Sequence, residues 1–219
     1  MTAQFSILTV CTGNVHRSPL AEALLRTWVG WYLPAPLSGQ VTVSSAGTHA
    51  AVGMHMGNRA RALAQGLGAD GSDHRATQIT DDMLARADLV LAASSRHRDE
   101  VIQRAPAALR KTFTIRQAGR LAAAVAPSSR PLVVRDLVRT VSRLADARGG
   151  PADVGEDDIV DPQGKDDAAY LRMVGEEIVP LAHLAAGLLG MSAADRDAYI
   201  AAAQDADGVR AQLAEATAR

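Results

Sequence analysis

The chain has 219 residues, a formal charge of −1 and a single cysteine. That length suits one compact domain with additions, and 47% hydrophobic with 21% charged residues excludes wholesale disorder. One cysteine rules out an internal disulfide or a Cys-rich zinc site, and near-neutral charge argues against broad electrostatic binding to nucleic acid.

Phe5-Ser6-Ile7-Leu8-Thr9-Val10 is short, β-branched and apolar, and reads as a buried strand. Ser18-Pro19 suits the start of a helix, and Leu20, Leu24, Leu25, Trp28 and Trp31 continue it to about Tyr32, before Pro34 and Pro36. Val41 to Ser45 is a second strand, closed by Ala46-Gly47. A helix from about Gly57 to Gln65 stops at Gly66 and Gly68, and Thr80-Asp81-Asp82 caps a short helix to Ala87. Asp88 to Ala93 is a third strand, followed by a helix from Ser94-Ser95 to about Ala105. Thr112-Phe113-Thr114-Ile115 is a fourth strand. Strands alternating with helices predict right-handed βαβ units and a parallel sheet.

The pattern changes from about Gln117 to Asp158. Val134, Leu137, Val138, Val141 and Leu144 mark an amphipathic helix whose outer row, Arg135, Arg139 and Arg143, reads as a solvated face. Gly149-Gly150-Pro151 and Glu156-Asp157-Asp158 look like a loop. Tyr170 to Leu188 form a last long helix, bent near Pro180. Ser192 to Arg219, broken at Asp207-Gly208, is a helix pair or a loose tail.

The chemistry concentrates between the first strand and the first helix: Cys11-Thr12-Gly13-Asn14-Val15-His16-Arg17-Ser18-Pro19. A strand's carboxyl end feeding a helix's amino end is where α/β sheets bind ligands and where free N–H groups favour anions. Gly13 permits a tight turn in which successive N–H groups converge. Arg17 supplies a planar fork for phosphate-like oxygens. Cys11 faces the same positive groups, which favour its thiolate, the form that attacks phosphorus.

These residues resemble the phosphate-binding loop of the low-molecular-weight protein tyrosine phosphatases. The resemblance extends to Ser44-Ser45-Ala46-Gly47-Thr48, to His74-Arg75-Ala76-Thr77-Gln78-Ile79-Thr80, to Ala87-Asp88-Leu89-Val90-Leu91 and to Asp161-Pro162. It implies a flavodoxin-like three-layer α/β/α domain over residues 1–190. That domain has a four-stranded parallel sheet ordered 2-1-3-4 and an insertion at about 117–158, and a helical tail follows over 191–219. It also implies a phosphomonoesterase working through a cysteinyl-phosphate. Cys11 would be the nucleophile, Arg17 the phosphate clamp and Asp161 the general acid and base. Thr12, Gly13, Asn14, Val15, His16 and Ser18 would line the phosphate cradle, Ser18 also bonding the thiolate, with Asn14, Ser45 and His74 as a bracing network.

The chain departs from that pattern in two ways. His16 stands where many members carry a second cysteine, and is expected either to add positive charge when protonated or to face solvent. Ala51 and Gln163 stand where aromatic pocket walls are usual, which removes stacking surfaces for a phosphotyrosine ring.

Other signals are weak. Gly66-Leu67-Gly68-Ala69-Asp70-Gly71 matches G-x-G-x-x-G but follows a helix, not a strand. No cofactor or metal is expected, and neither a membrane span nor a signal segment is read, so the expected location is the cytoplasm. Substrates would be a phosphorylated protein or a small phosphomonoester. Two alternatives remain open on sequence: arsenate reduction with an external low-molecular-weight thiol, and a non-catalytic phosphoprotein-binding module.

Overall fold

A computed structural model describes residues 4–125, 130–150, 153 and 155–217. Pro151 of the expected Gly149-Gly150-Pro151 loop, the first three residues and the last two of the tail lie outside the described residues.

Four parallel strands, β1 (Phe5–Cys11), β2 (Val41–Gly47), β3 (Leu89–Ala92) and β4 (Thr112–Thr114), form one sheet in the order β2-β1-β3-β4. The strand periodicity of two sorts β1 between two cores. Phe5 and Ile7 pack into the larger cluster, with Trp28, Leu63, Phe113 and Leu181. Leu8 and Val10 pack on the opposite face, with Ile79, Leu84, Val90 and Val101. Every residue of β3 and β4 is buried, as expected for strands covered on both faces.

The connections are helical. α1 (Arg17–Tyr32) and a short α2 (Ala35–Ser38) link β1 to β2. α3 (Asn58–Gly66) and α4 (Asp81–Arg86) precede β3. α5 (Ser95–Arg104) and a 3₁₀ segment (Pro106–Lys111) lead to β4. Five more helices follow among the described residues: α6 (Ile115–Ala124), α7 (Val134–Asp146), α8 (Asp167–Leu189) and the pair α9 (Ala193–Gln204) and α10 (Ala206–Thr217). None of the described helices is long and apolar enough to cross a membrane.

Two boundaries near the site differ from expectation. Helix α1 begins at Arg17, so Ser18 is its second residue and Pro19 its third, rather than the cap and the first helical residue. Strand β4 ends at Thr114, and Ile115 opens α6, which sequence pattern missed. The Thr114 hydroxyl caps that helix by accepting from Gln117 N. At Gly119 inside α6 a Cβ would lie 2.4 Å from Pro180 Cα, so the glycine lets α6 and α8 touch. Helix α8 runs through Pro180, whose missing N–H leaves one carbonyl without its intrahelical donor.

The tail is a folded helix pair. Val209 and Leu213 of α10 are buried, and Tyr199 of α9 meets Trp28 edge-on, with ring centroids 4.8 Å apart. The break between the two helices falls at Asp205, and Asp207-Gly208 lies inside α10.

Candidate active site

Strand β1 delivers Cys11 to its carboxyl end, and α1 begins at Arg17, so residues 12–16 must turn the chain within one loop. The carbonyls of that loop are spoken for from outside. Thr48 N donates to Cys11 O, His49 N to Thr12 O, Ala51 N to Gly13 O and Gly57 N to Val15 O, all at 2.9–3.0 Å. The side chain of His74 meets Asn14 O at 2.8 Å. In a trans peptide each carbonyl opposes the next residue's N–H. Carbonyls turned outward therefore turn the N–H groups of residues 12 to 16 inward, toward one centre, where an anion finds several donors.

The left-handed residue in the turn is Asn14, with φ of 56°. Asn14 is 0% exposed and every polar atom of its side chain is engaged. Its Nδ2 donates to Ser18 Oγ (2.9 Å) and Ser45 Oγ (2.8 Å), and its Oδ1 accepts from Thr77 N (2.7 Å). These bonds hold a backbone conformation that non-glycine residues otherwise avoid. The network continues to Glu22, a residue that sequence reading did not single out: its Oε2 accepts from Ser45 Oγ at 2.6 Å and lies 3.5 Å from His74 Nδ1.

Ser18 Oγ lies 3.0 Å from Cys11 Sγ. Because it already accepts from Asn14, its own proton is available to the sulfur. Arg17 is 5% exposed and its guanidinium leaves the loop on the other side. Nη1 donates to Ile159 O at 3.1 Å, and Nη2 pairs with Asp161 Oδ2 at 2.6 Å. The loop carrying Asp161 is thus fastened over the cradle, 144 residues away in sequence.

His16 takes neither expected position. Its ring packs against Gly57, where a Cβ would sit 2.4 Å from Cε1, and meets the Tyr170 ring edge-on at 5.8 Å. Burial pushes its pKa down, against the raising effects of Gln163 and Asp161, which disfavours the charged form of the ring.

Pattern reasoning also missed His97. It is 3% exposed, on α5, with its two ring nitrogens 2.7 Å from Thr12 Oγ1 and Ser94 Oγ. Burial, then the charge of Arg17, lowers its pKa to about 4. A neutral imidazole therefore ties the cradle to the start of α5. The one local signal was the Ser94-x-x-His97 spacing at a helix start, too common to single out.

A pocket of about 280 Å³ opens over Cys11. Its walls are Thr12, Gly13, Val15, His16, Arg17, Ala51, Met54, Asp161 and Gln163. Ala51 and Gln163 line it as expected, no Phe, Tyr or Trp among the described residues does, and Met54 supplies an apolar wall that alignment by motif did not reveal.

Comparisons with known proteins agree with this geometry. Residues 6–120, just over half the chain, match the family model described as low molecular weight phosphotyrosine protein phosphatase. A protein-arginine-phosphatase of Geobacillus stearothermophilus is 39% identical over 113 residues, covering 52% of this chain and 70% of the relative. The low molecular weight protein-tyrosine-phosphatase Etp of Escherichia coli K12 is 38% identical over 112 residues, covering 51% and 70%. Among solved structures, the YwlE arginine phosphatase from G. stearothermophilus superposes with a TM-score of 0.52 at 25% identity, covering 96% of each chain. Asp161 lies beyond the matched segment, and its place rests on the ion pair with Arg17. Sheet order, cradle and matched segment agree, and the chain belongs to the low molecular weight phosphotyrosine protein phosphatase family.

Proposed function

We propose that this protein is a phosphomonoesterase that passes a phosphoryl group to Cys11 and then to water. The observation that carries the reading is the Cys11 sulfur at the floor of an inward-facing amide cradle, with Ser18 Oγ at 3.0 Å and the Arg17–Asp161 pair at its mouth. Phosphoryl transfer needs in-line positioning, charge stabilisation and a proton donor, and these residues supply one of each.

A phosphate dianion in the cradle draws the Arg17 fork away from Asp161 and onto its own oxygens. Cys11 Sγ forms a bond to phosphorus as the bond to the leaving oxygen breaks. A proton from Asp161, which is 45% exposed at the side chain, goes to that oxygen. In the second step the Asp161 carboxylate takes a proton from water, the water oxygen bonds to phosphorus, and the S–P bond breaks. The departing thiolate then accepts from Ser18, Asn14 holding the hydroxyl in place. His97 and the Asn14–Ser45–Glu22–His74 network keep the loop in this shape without touching the reacting atoms. A nucleophile that must stay a free thiol suits a reducing compartment, which supports a cytoplasmic location.

The named relatives include both tyrosine and arginine phosphatases, so a phosphotyrosine peptide and a phosphoarginine peptide both belong in the first assay, beside a small aryl phosphate. Phosphate release is expected in the wild type and lost in Cys11→Ser. Asp161→Ala is expected to slow it about 100-fold or more. Full activity in Cys11→Ser contradicts the reading.

A further inference from the structure

The two departures from the family pattern touch each other. His16 Nε2 and Gln163 Oε1 are 2.7 Å apart, although 147 residues separate them. The imidazole has little freedom between Gly57 and Tyr170, and Gly57 N is itself bonded to Val15 O.

The position of the ring proton follows from burial. His16 Nδ1 is buried and has no hydrogen-bond partner. A proton there would be an orphaned N–H, which folded proteins rarely tolerate, whereas an empty lone pair costs less. The neutral ring therefore carries its proton on Nε2 and donates to the Gln163 carboxamide oxygen. With Oε1 held by His16, the NH₂ of Gln163 is directed away from the ring, on a residue that lines the pocket over Cys11. The backbone N–H of Gln163 donates to Asp161 Oδ1 at 3.1 Å, so this carboxamide is fixed relative to the carboxyl that meets the leaving oxygen.

We propose that His16 orients the Gln163 carboxamide as a hydrogen-bond donor to the leaving group. The site then favours phosphoesters whose leaving group carries an oxygen acceptor beside the ester oxygen. The proposal rests on the phosphomonoesterase reading above. It replaces a stacking wall with a directional contact: the rest of that wall, Ala51 and Met54, is apolar and presents no ring. His16 is a positioning residue in this scheme and Gln163 a specificity residue.

The test uses two esters of nearly equal size and leaving-group basicity, 2-methoxyphenyl phosphate and 2-methylphenyl phosphate. The readout is the ratio of their kcat/KM values. The wild type is expected to favour the methoxy ester about five-fold, the size of one net hydrogen bond. Gln163 is exposed, so Gln163→Leu should fold; it is expected to bring the ratio to one. Gln163→Glu replaces the donor with an acceptor and is expected to take the ratio below one. His16→Phe keeps a ring against Gly57 and Tyr170 but loses the N–H, and is expected to bring the ratio close to one; His16→Leu gives the same readout if the larger ring prevents folding. The double variant is expected to add nothing to the ratio, because the pair acts as a unit. A preference that survives Gln163→Leu or both His16 variants overturns the proposal, as does a wild-type ratio of one. Failure of the wild type to release phosphate from either ester would instead overturn the phosphomonoesterase reading.

Discussion

His97 gives the sharpest stability prediction. Its ring is enclosed, bonded at both nitrogens to neutral hydroxyls and repelled as a cation by Arg17, so the folded protein holds it neutral with a pKa of about 4. The unfolded chain binds the proton at the ordinary value of about 6.5. The folded pKa is depressed, so the contribution to stability is fully present above about pH 6.5 and is lost as pH falls through 4. The gap of about 2.5 units corresponds to roughly 3 kcal/mol over the whole window. Burial pushes Glu177 the opposite way: its carboxyl is raised well above the usual range and contributes stability that is lost as pH rises. A comparison of two proteins that both keep Glu177 removes that term. Urea unfolding of the wild type and His97→Gln at about pH 7 and about pH 4.5 is the assay. The wild type is expected to lose about 2.5 kcal/mol more than the variant between them. Parallel pH profiles would mean that the folded ring takes up its proton freely, and would refute the enclosed, neutral bridge between Thr12 and Ser94.

Two substitutions test the cradle's architecture. Asn14→Ala forfeits three side-chain hydrogen bonds and forces alanine to φ of 56°, so it is expected to cost about 3 kcal/mol or more in urea unfolding. Asn14→Gly loses the bonds but keeps the backbone geometry, and is expected to cost about 1 kcal/mol less than alanine; equal costs would remove strain from the account. Gly47→Ala places a Cβ 2.4 Å from Thr12 O and 2.9 Å from Ala50 Cα, both backbone atoms that cannot swing aside. It is expected to lower stability by about 1–3 kcal/mol and kcat/KM about ten-fold, through displacement of the loop. Wild-type kinetics in that variant would separate the β2 terminus from the site.

What sequence revealed and what it hid divide along contact distance. The four strands were readable because each is a short run rich in β-branched and apolar residues, and the Cys11–Ser18 loop because its chemistry is local. Helix α6 was missed because Ile115, which opens it, reads as the end of the strand Thr112–Ile115, and the Thr114 cap shows only in the structure. Gly13 marked the tight turn by residue type, but nothing local marked Asn14 as its left-handed residue, which is held there through partners as distant as Thr77. Glu22 and Met54 carry no local signature, and the Ser94-x-x-His97 spacing is too common to be one: Thr12 and His97 are 85 residues apart, and only the folded sheet brings them together. His16 looked like a charged or idle loop residue because neither Gly57 nor Tyr170 is visible from its neighbours in the chain.

The central claim is covalent transfer to Cys11, and trapping the intermediate tests it most directly. Asp161→Ala removes the group that activates water, so the second step slows and phosphoryl-enzyme accumulates. After rapid acid quench of this variant with a small aryl phosphate, peptide mass spectrometry is expected to find one phosphoryl group, on the peptide containing Cys11. Cys11 is the chain's only cysteine, which makes the assignment of a thiol-linked phosphate unambiguous. Turnover of that ester by the wild type with no phosphoryl group on Cys11 in the trapped variant, or with the group on another residue, would contradict the account.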